Sequence, residues 1–392
     1  MRILFTGGGS GGHFFPIIAV ARELKRIAED ERIIDLRLFY MGPISPGLTA
    51  PGPSRGHTAE DGPVANEENL MKTEGITYYV LAAGKIRRYA SFYNITDLFK
   101  TFIGIIQAAW KLFVILPDVI FSKGGFGAFP VLLVARLYRI PVIIHESDAV
   151  PGVVNKWSAK FARRIAVAFT ASAKFFPPEK TAVVGNPIRK RLLGANVEEA
   201  KKKLFVSTRD PVIFFNGGSQ GSENLNNTVT GILPQLIKKY EVLHQTGKRN
   251  YETVKEETSV LLERMKKEKY HIFGFLAESE LREAYAASDL IVSRAGSSNI
   301  FEIAALQKPS ILIPLSNSAQ DHQRENAYEY AKTGSCTVIE ENNLSPHLLL
   351  NDMEKILEYQ DIQKRMVESA QKFSRIDSAE TIAREIIKLG LH

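Results

Sequence analysis

The chain begins MRILFTGGGSGGHFFP: a short β-branched and aromatic run, then glycines, then Pro16 in an expected first helical turn. Apolar residues follow on helical spacing at Ile17, Val20, Ala21, Leu24, Ile27 and Ala28. Strand, glycine loop and helix thus follow one another, and no other pattern in the sequence narrows the possible folds as far. The unit recurs in VIFSKGGFGAFPVLLVARLY, PVIFFNGGSQGSENLNNTVTGIL and DLIVSRAGSSNIFEIAA. Strands alternating with helices predict an α/β fold with a parallel sheet covered on both faces.

The third copy, at 211–233, reads as a second beginning. Before it, VVGNPIRKRL holds a Gly-Asn-Pro turn and an expected charged helix, where the hinge is placed. With 392 residues against roughly 100–200 per domain, two doubly wound Rossmann-like domains facing a cleft are predicted, 1–185 and 186–375. Ligands are expected at the C-terminal ends of the strands. The last helix, DSAETIAREIIKLG, is expected to start at a capping Asp377 or Ser378 and to pack, as 376–392, on the first domain. Residues 42–75, with five prolines and six glycines, read as a long mobile loop without a core.

The net charge of +7 accompanies no nucleic-acid motif and no long basic arm, so no nucleic-acid partner is expected. A single cysteine, Cys336, excludes an internal disulfide and a multi-Cys zinc site, and favours a reducing, cytoplasmic setting. No secretory signal is visible. The segment FIGIIQAAWKLFVILPDVIF is interrupted by Lys111, Pro117 and Asp118 and does not read as a spanning helix. The protein is expected to be soluble or peripheral.

Gly7, Gly9 and Gly12 satisfy G-x-G-x-x-G, the dinucleotide fingerprint. That fingerprint needs an acidic residue at the end of the second strand. The strand DLRLFYMG ends in Met41 and Gly42, and Asp35 precedes it, which disfavours a nicotinamide cofactor. The loop still lets backbone approach a ligand, and a helix start near His13 offers N–H groups and positive potential. Such potential keeps an imidazole neutral at about pH 7 and able to take a proton; the plainer reading of His13 is a helix cap. In the second half, NGGSQGS supplies Ser219, and SRAGSSN supplies Ser297, Ser298 and Asn299. Two anion-receiving helix ends suit a diphosphate. Glu302 would accept from a ribose diol, or serve as a first-turn carboxylate favoured by the helix dipole. P-loop, H-E-x-x-H and Asp-x-Asp patterns are absent from the sequence, so neither metal nor cofactor is expected. A leaving diphosphate would be stabilised by helix ends and side chains.

Together GGSGGHFFP, GGFGAFP, HESDAVPG, GNPIR, GGSQGS, RAGSSNIFEIAA and DHQRENA, in this order, resemble the MurG family along nearly the whole chain. These are UDP-N-acetylglucosamine transferases of peptidoglycan synthesis. The resemblance implies an inverting, metal-independent enzyme of GT-B fold. It would move N-acetylglucosamine from UDP-GlcNAc to the C4 hydroxyl of MurNAc in undecaprenyl-diphosphate-MurNAc-pentapeptide, converting lipid I to lipid II. By motif, Ser10, Gly11 and Gly12 border the donor sugar and acceptor diphosphate, and His13 is the general base. Arg189 and the backbone of Leu276 lie near the uracil, and Ser219 contacts a donor phosphate. Ser297, Ser298, Asn299, Ile300, Phe301 and Glu302 form the helix end that holds diphosphate and ribose, and Gln323 contacts the sugar hydroxyls. Many relatives carry Gln-Asn where this chain has Ser147-Asp148. Asp148 is therefore read as a sugar contact, a partner of His13 or a competing base. His322 stands where some members have a second glutamine.

The segment 84–113 carries Lys85, Arg87, Arg88, Lys100 and Lys111 against one acid, Asp97. With Tyr89, Phe92, Tyr93 and Trp110 available for shallow insertion, it predicts peripheral docking on an anionic membrane surface, at the cytoplasmic face of the cell membrane. The plainer reading is a core helix with a solvated basic edge. Three other functions remain open on the sequence: a UDP-sugar epimerase, a GT-B transferase with a different lipid or glycan acceptor, and a silent sugar-nucleotide binder.

Overall fold

The computed structural model describes residues 1–8, 11–43, 67–84, 93–218, 220–263, 265, 267–316, 318 and 321–391. Two compact units divide between Ile188 and Arg189 and again between Ser374 and Arg375. The first runs β1 (Arg2–Thr6), α1 (Gly11–Asp30), β2 (Arg37–Gly42), α2 (Glu67–Thr73), β3 (Ile76–Val80), α3 (Tyr93–Ile115), β4 (Val119–Ser122), α4 (Phe129–Leu137), β5 (Val142–Glu146), α5 (Val153–Ser158), β6 (Arg164–Val167), α6 (Thr170–Ala173) and β7 (Thr181–Val183). The second runs α7 (Val197–Lys203), β8 (Val212–Asn216), α8 (Glu223–Lys239), β9 (Glu241–Gln245), α9 (Tyr251–Leu261), β10 (Tyr270–Phe273), α10 (Glu278–Ala287), β11 (Leu290–Ser293), α11 (Ser297–Ala305), β12 (Ser310–Leu312), α12 (His322–Ala331), β13 (Cys336–Val338), α13 (Pro346–Glu358) and α14 (Gln360–Phe373). The last helix, α15 (Ser378–Gly390), belongs to the first unit.

Among the described residues the first sheet has the order β3-β2-β1-β4-β5-β6-β7 and the second β10-β9-β8-β11-β12-β13, with parallel pairing. Each order reverses once, beside β1 in the first unit and beside β8 in the second. These are the switch points where doubly wound sheets receive ligands, and the glycine loops leave the sheets there.

The strands are apolar runs because helices cover both faces. Alternation along β1 shows it: Ile3 and Phe5 pack with Ile17 and Leu24 of α1 and Ile382 and Ile386 of α15. Leu4 faces the opposite side, with Leu112 of α3 and Val131 and Leu132 of α4. In the second unit Ile213 and Val292 pack with Leu225, Val229, Leu349 and Met353.

Several sequence expectations change. Helix α1 begins at Gly11, so Pro16 lies inside it rather than in its first turn; a proline there gives up the hydrogen bond to the Gly12 carbonyl. Residues 42–75 are not a coreless loop throughout, since α2 forms within them and Met71 is fully buried against the α1 face of the sheet. The glycine and proline count of 44–66, outside the described residues, masked that short helix. The charged helix expected directly after Pro187 is a three-residue 3-10 turn, Lys190–Leu192, and α7 starts only at Val197. Asp377 occupies the N-cap position of α15 without a side-chain cap, and the Ser378 hydroxyl bonds instead to the Val184 and Arg375 carbonyls.

Helix α3 runs uninterrupted past Lys111, and Pro117 and Asp118 lie beyond its end. By length and composition its Thr96–Ile115 portion is long and apolar enough to cross a membrane; of the three interruptions read in 102–121, only Lys111 falls within the helix. One face, with Thr101, Ala108 and Leu112, is buried, and α3 packs on α4. The other exposes Leu98, Phe102, Ile106 and Trp110 four residues apart, with Phe99 and Phe113 beside them.

Candidate active site

In the first unit, the loops after β1 and β4 meet at His13. The His13 ring lies against Gly8 and Gly125: a Cβ on Gly8 would sit 3.4 Å from Nε2, and one on Gly125 would sit 2.9 Å from the Gly8 Cα. Gly125 also has a φ of 79°, so a side chain there meets both strain and a clash. His13 Nδ1 lies 3.1 Å from the Lys123 carbonyl oxygen. A carbonyl only accepts, so Nδ1 carries the hydrogen and Nε2 the lone pair.

Beneath this loop Lys123 is 2% exposed. Its ammonium donates to His145 Nδ1 at 2.6 Å, to Asn186 Oδ1 at 3.1 Å and to the Ser147 hydroxyl. His145 Nε2 in turn donates to the Gly185 carbonyl at 2.9 Å. Burial pulls Lys123 down to about 7, partly opposed by Glu146 and Asp148. Burial and then the Lys123 charge hold His145 well below the ordinary histidine range. Glu146 accepts from the main-chain N–H groups of Asp148 and Gly152 and from Asn155 Nδ2 at 2.9–3.0 Å, which shapes the 146–152 loop. Burial, then the Asp148 carboxylate, push Glu146 up to about 7. Sequence reading singled out none of Lys123, His145, Glu146, Asn155 or Asn186 by role; for all but Asn155, which lies in α5, the signal was polar residues at the carboxyl ends of apolar strands.

In the second unit, α11 starts at Ser297 behind Gly296, with no side-chain cap closing it, so the first-turn amides of 297–299 face outward along the helix axis. Ile300 and Phe301 do not belong to that end. The Ile300 amide bonds to the Gly296 carbonyl and its side chain is fully buried, while Phe301 packs on Phe373 of α14. Glu302 lies in the second turn rather than the first, and Arg189 grips it through Nε–Oε1 at 2.8 Å and Nη2–Oε2 at 2.9 Å. Burial opposes the Arg189 charge, and Glu302 more than offsets it, so the guanidinium is more basic than usual. Each Glu302 oxygen keeps further acceptor capacity.

The backbone of Leu276 is fixed by Gln245, whose Oε1 accepts its N–H at 3.2 Å, and whose amide group donates to the Gly218 carbonyl at 3.2 Å. The Leu276 carbonyl is the atom this leaves for a base. Gln323 accepts from the Leu315 N–H at 3.1 Å. Arg294 ties the surrounding loops, donating to the Ser222 hydroxyl at 2.5 Å, to the Ile313 carbonyl at 3.2 Å and to Glu341. Burial works to raise Glu341, but hydrogen bonds from Arg294 and Ser316 outweigh it and pull it down to about 2. Gln245, Arg294 and Glu341 were also missed from sequence.

Ser10 and Ser219 lie outside the described residues, as do Lys85, Arg87, Arg88, Tyr89, Phe92 and the side chain of Tyr93. Gly11 opens α1, and Gly12 beside it is exposed.

Residues 63–167 match the Glycosyltransferase family 28 N-terminal domain and residues 212–382 its C-terminal domain. A Bacillus cereus protein named UDP-N-acetylglucosamine--N-acetylmuramyl-(pentapeptide) pyrophosphoryl-undecaprenol N-acetylglucosamine transferase 2 is 35% identical over 98% of this chain and 99% of its own. Among solved structures, Acinetobacter baumannii MurG is similar with a TM-score of 0.70 at 23% identity, over 99% of each chain. A Neisseria meningitidis UDP-GlcNAc 2-epimerase bound to UDP-GlcNAc gives 0.67 at 14% identity, over 99% of this chain and 100% of its own. At such identities the solved structures speak for the shared fold, two Rossmann-like domains of GT-B type.

Proposed function

We infer the function from the premise that this chain belongs to the glycosyltransferase family 28 enzymes that are UDP-N-acetylglucosamine--N-acetylmuramyl-(pentapeptide) pyrophosphoryl-undecaprenol N-acetylglucosamine transferases, the MurG family. It is a UDP-GlcNAc-dependent hexosyltransferase of peptidoglycan synthesis, and its reaction converts lipid I to lipid II. In our reading the MurNAc C4 hydroxyl attacks the anomeric carbon of N-acetylglucosamine in a single displacement, with inversion, and UDP leaves.

One observation carries the chemical half of this reading: His13 is held as the Nδ1–H tautomer by the Lys123 carbonyl, which gives Nε2 the lone pair a general base needs. Ring and glycine loops are fixed by backbone, so the base is oriented before substrate arrives. In the second unit, the first turn of α11 receives the diphosphate. Glu302, held by Arg189, accepts from the ribose hydroxyls; the Leu276 carbonyl accepts from the uracil N–H; and the Gln323 side-chain amide donates to the sugar hydroxyls. By likeness of motif, Ser219 is assigned to a donor phosphate, and the 10–12 segment of the first unit to the donor sugar. Asp148 has its main chain fixed by Glu146 and is assigned to the sugar.

The test is transfer of labelled N-acetylglucosamine from UDP to lipid I in detergent. Labelled lipid II is the expected product. Conversion of UDP-GlcNAc with no acceptor present would overturn the assignment in favour of an epimerase, and label appearing only on another lipid or glycan would replace the acceptor.

The acceptor's lipid places the reaction at a membrane, and we assign docking there to the exposed face of α3 with the basic residues of 85–88. Its apolar stripe, with Trp110 66% exposed, fits shallow insertion, while packing of the other face on α4 favours a peripheral rather than spanning role. Lys111 is less available than the sequence suggested, since its ammonium lies 4.4 Å from the Tyr79 ring centroid. Sedimentation with vesicles should show binding that rises with the anionic lipid fraction and falls as salt is raised from about 0.05 to about 0.5 M. The pair Phe102→Ser and Trp110→Ser should weaken it by roughly tenfold or more, from the apolar area lost. Binding indifferent to salt counts against the basic segment, and binding indifferent to the two substitutions counts against α3.

A further inference from the structure

We propose that Lys248, in the loop that leaves β9, binds the phosphate groups of the uridine nucleotide. The proposal rests on the donor-binding reading of the second unit and adds to it a cation that neither sequence nor family likeness supplied. Its Nζ is shielded from solvent and has no hydrogen-bond partner among the described residues. It stands 5.2 Å from the centroid of the Phe275 ring, the residue directly before Leu276. Burial lowers its pKa, and no acidic neighbour among the described residues offsets that effect.

The loop that carries it is fixed rather than loose. The Thr246 carbonyl accepts from Asn226 at 3.0 Å and from Asn250 at 3.1 Å, and the Thr246 N–H donates to Phe273 at 2.9 Å. Gly247 presses on the glycine loop after β8 so closely that a Cβ would fall 2.4 Å from the Gly221 Cα. Both glycines have φ above 80°. The backbone that carries Lys248 is thus held at the carboxyl end of β9, next to β8 in the sheet and against the glycine loop, and its ammonium lies over the ring of Phe275, next to the backbone assigned to the uracil.

An ammonium shielded from water without an acceptor is unfavourable. A nucleotide diphosphate would supply both the missing countercharge and the oxygen acceptors, in charge-assisted hydrogen bonds. Uracil and ribose offer acceptors without the charge. During transfer, negative charge grows on the β-phosphate as the sugar departs, and a fixed cation there favours that change.

Calorimetric titration of the full chain with UDP, UMP and uridine tests this, comparing native protein, Lys248→Met and Lys248→Arg. In Lys248→Met, affinity for UDP should fall roughly 10- to 100-fold, while affinity for uridine stays within about twofold and the ligand-free unfolding midpoint does not drop. Lys248→Arg should recover part of the UDP affinity. UDP binding within about threefold of native in Lys248→Met overturns the proposal, and so does an equal fall for uridine, which would place the lysine on the base. A native protein that binds none of the three would instead overturn the nucleotide reading of the second unit, and this proposal with it.

Discussion

Glu302→Ala lowers the stability of the second unit by about 3–5 kcal/mol, because it leaves the Arg189 guanidinium buried without its partner. The side chains are 8% and 3% exposed and joined through both nitrogen–oxygen pairs, so solvent screens little of the loss. The cost should appear in denaturant unfolding of the full chain as an earlier transition for one unit, the other keeping its midpoint. Glu302→Gln, which retains one acceptor, should lose less. A double replacement, Arg189→Met with Glu302→Leu, should recover most of the stability, since matched apolar side chains replace a buried ion pair at little net cost. The same double variant should still fail to bind UDP measurably, because the ribose acceptor is gone. Stability and donor binding are thereby separated: a loss under about 1 kcal/mol for Glu302→Ala would mean that the pair contributes little, and UDP binding by the double variant would remove Glu302 from the nucleotide site.

His13→Ala lowers kcat for transfer to lipid I by roughly 10²–10⁴-fold, the usual contribution of a positioned general base, and leaves the KM for UDP-GlcNAc within a few-fold of native. The cause is local to the ring. Nδ1 is committed to the Lys123 carbonyl, so the only proton acceptor on the ring is Nε2, and alanine removes it at a half-buried position where the ring lies against the backbone of Gly8 and Gly125. The unfolding midpoint should therefore change little. Activity of His13→Ala within about threefold of native would transfer the base role elsewhere, with Asp148→Asn as the next variant to measure.

Legibility from sequence differed sharply between elements. The strand, glycine loop and helix units were read correctly because each is encoded within about twenty residues by apolar spacing and glycine. The start of α11 at Ser297 and the absence of a carboxylate at the end of β2 followed from the same local pattern. Short α2 was hidden by its proline-rich surroundings, and Pro16 was placed in the wrong turn because helix α1 starts earlier than its apolar periodicity does. Exposure along α3 was only half visible. Composition marked it as apolar and basic, but the split between a face on α4 and a face in solvent depends on which neighbour the sheet order sets beside it.

From its sequence alone, then, the chain fixed two doubly wound units, the positions of their ligand-receiving loops and the residue types presented there, since helix period, strand alternation and glycine conformation act over a few residues. Only the tertiary structure decided that Arg189 would meet Glu302, 113 positions away, and that the His13 ring would rest on the carbonyl of Lys123, 110 positions away. Those encounters are set by the register of parallel strands and the crossovers between them. Neither partner's local sequence carries a trace of the other.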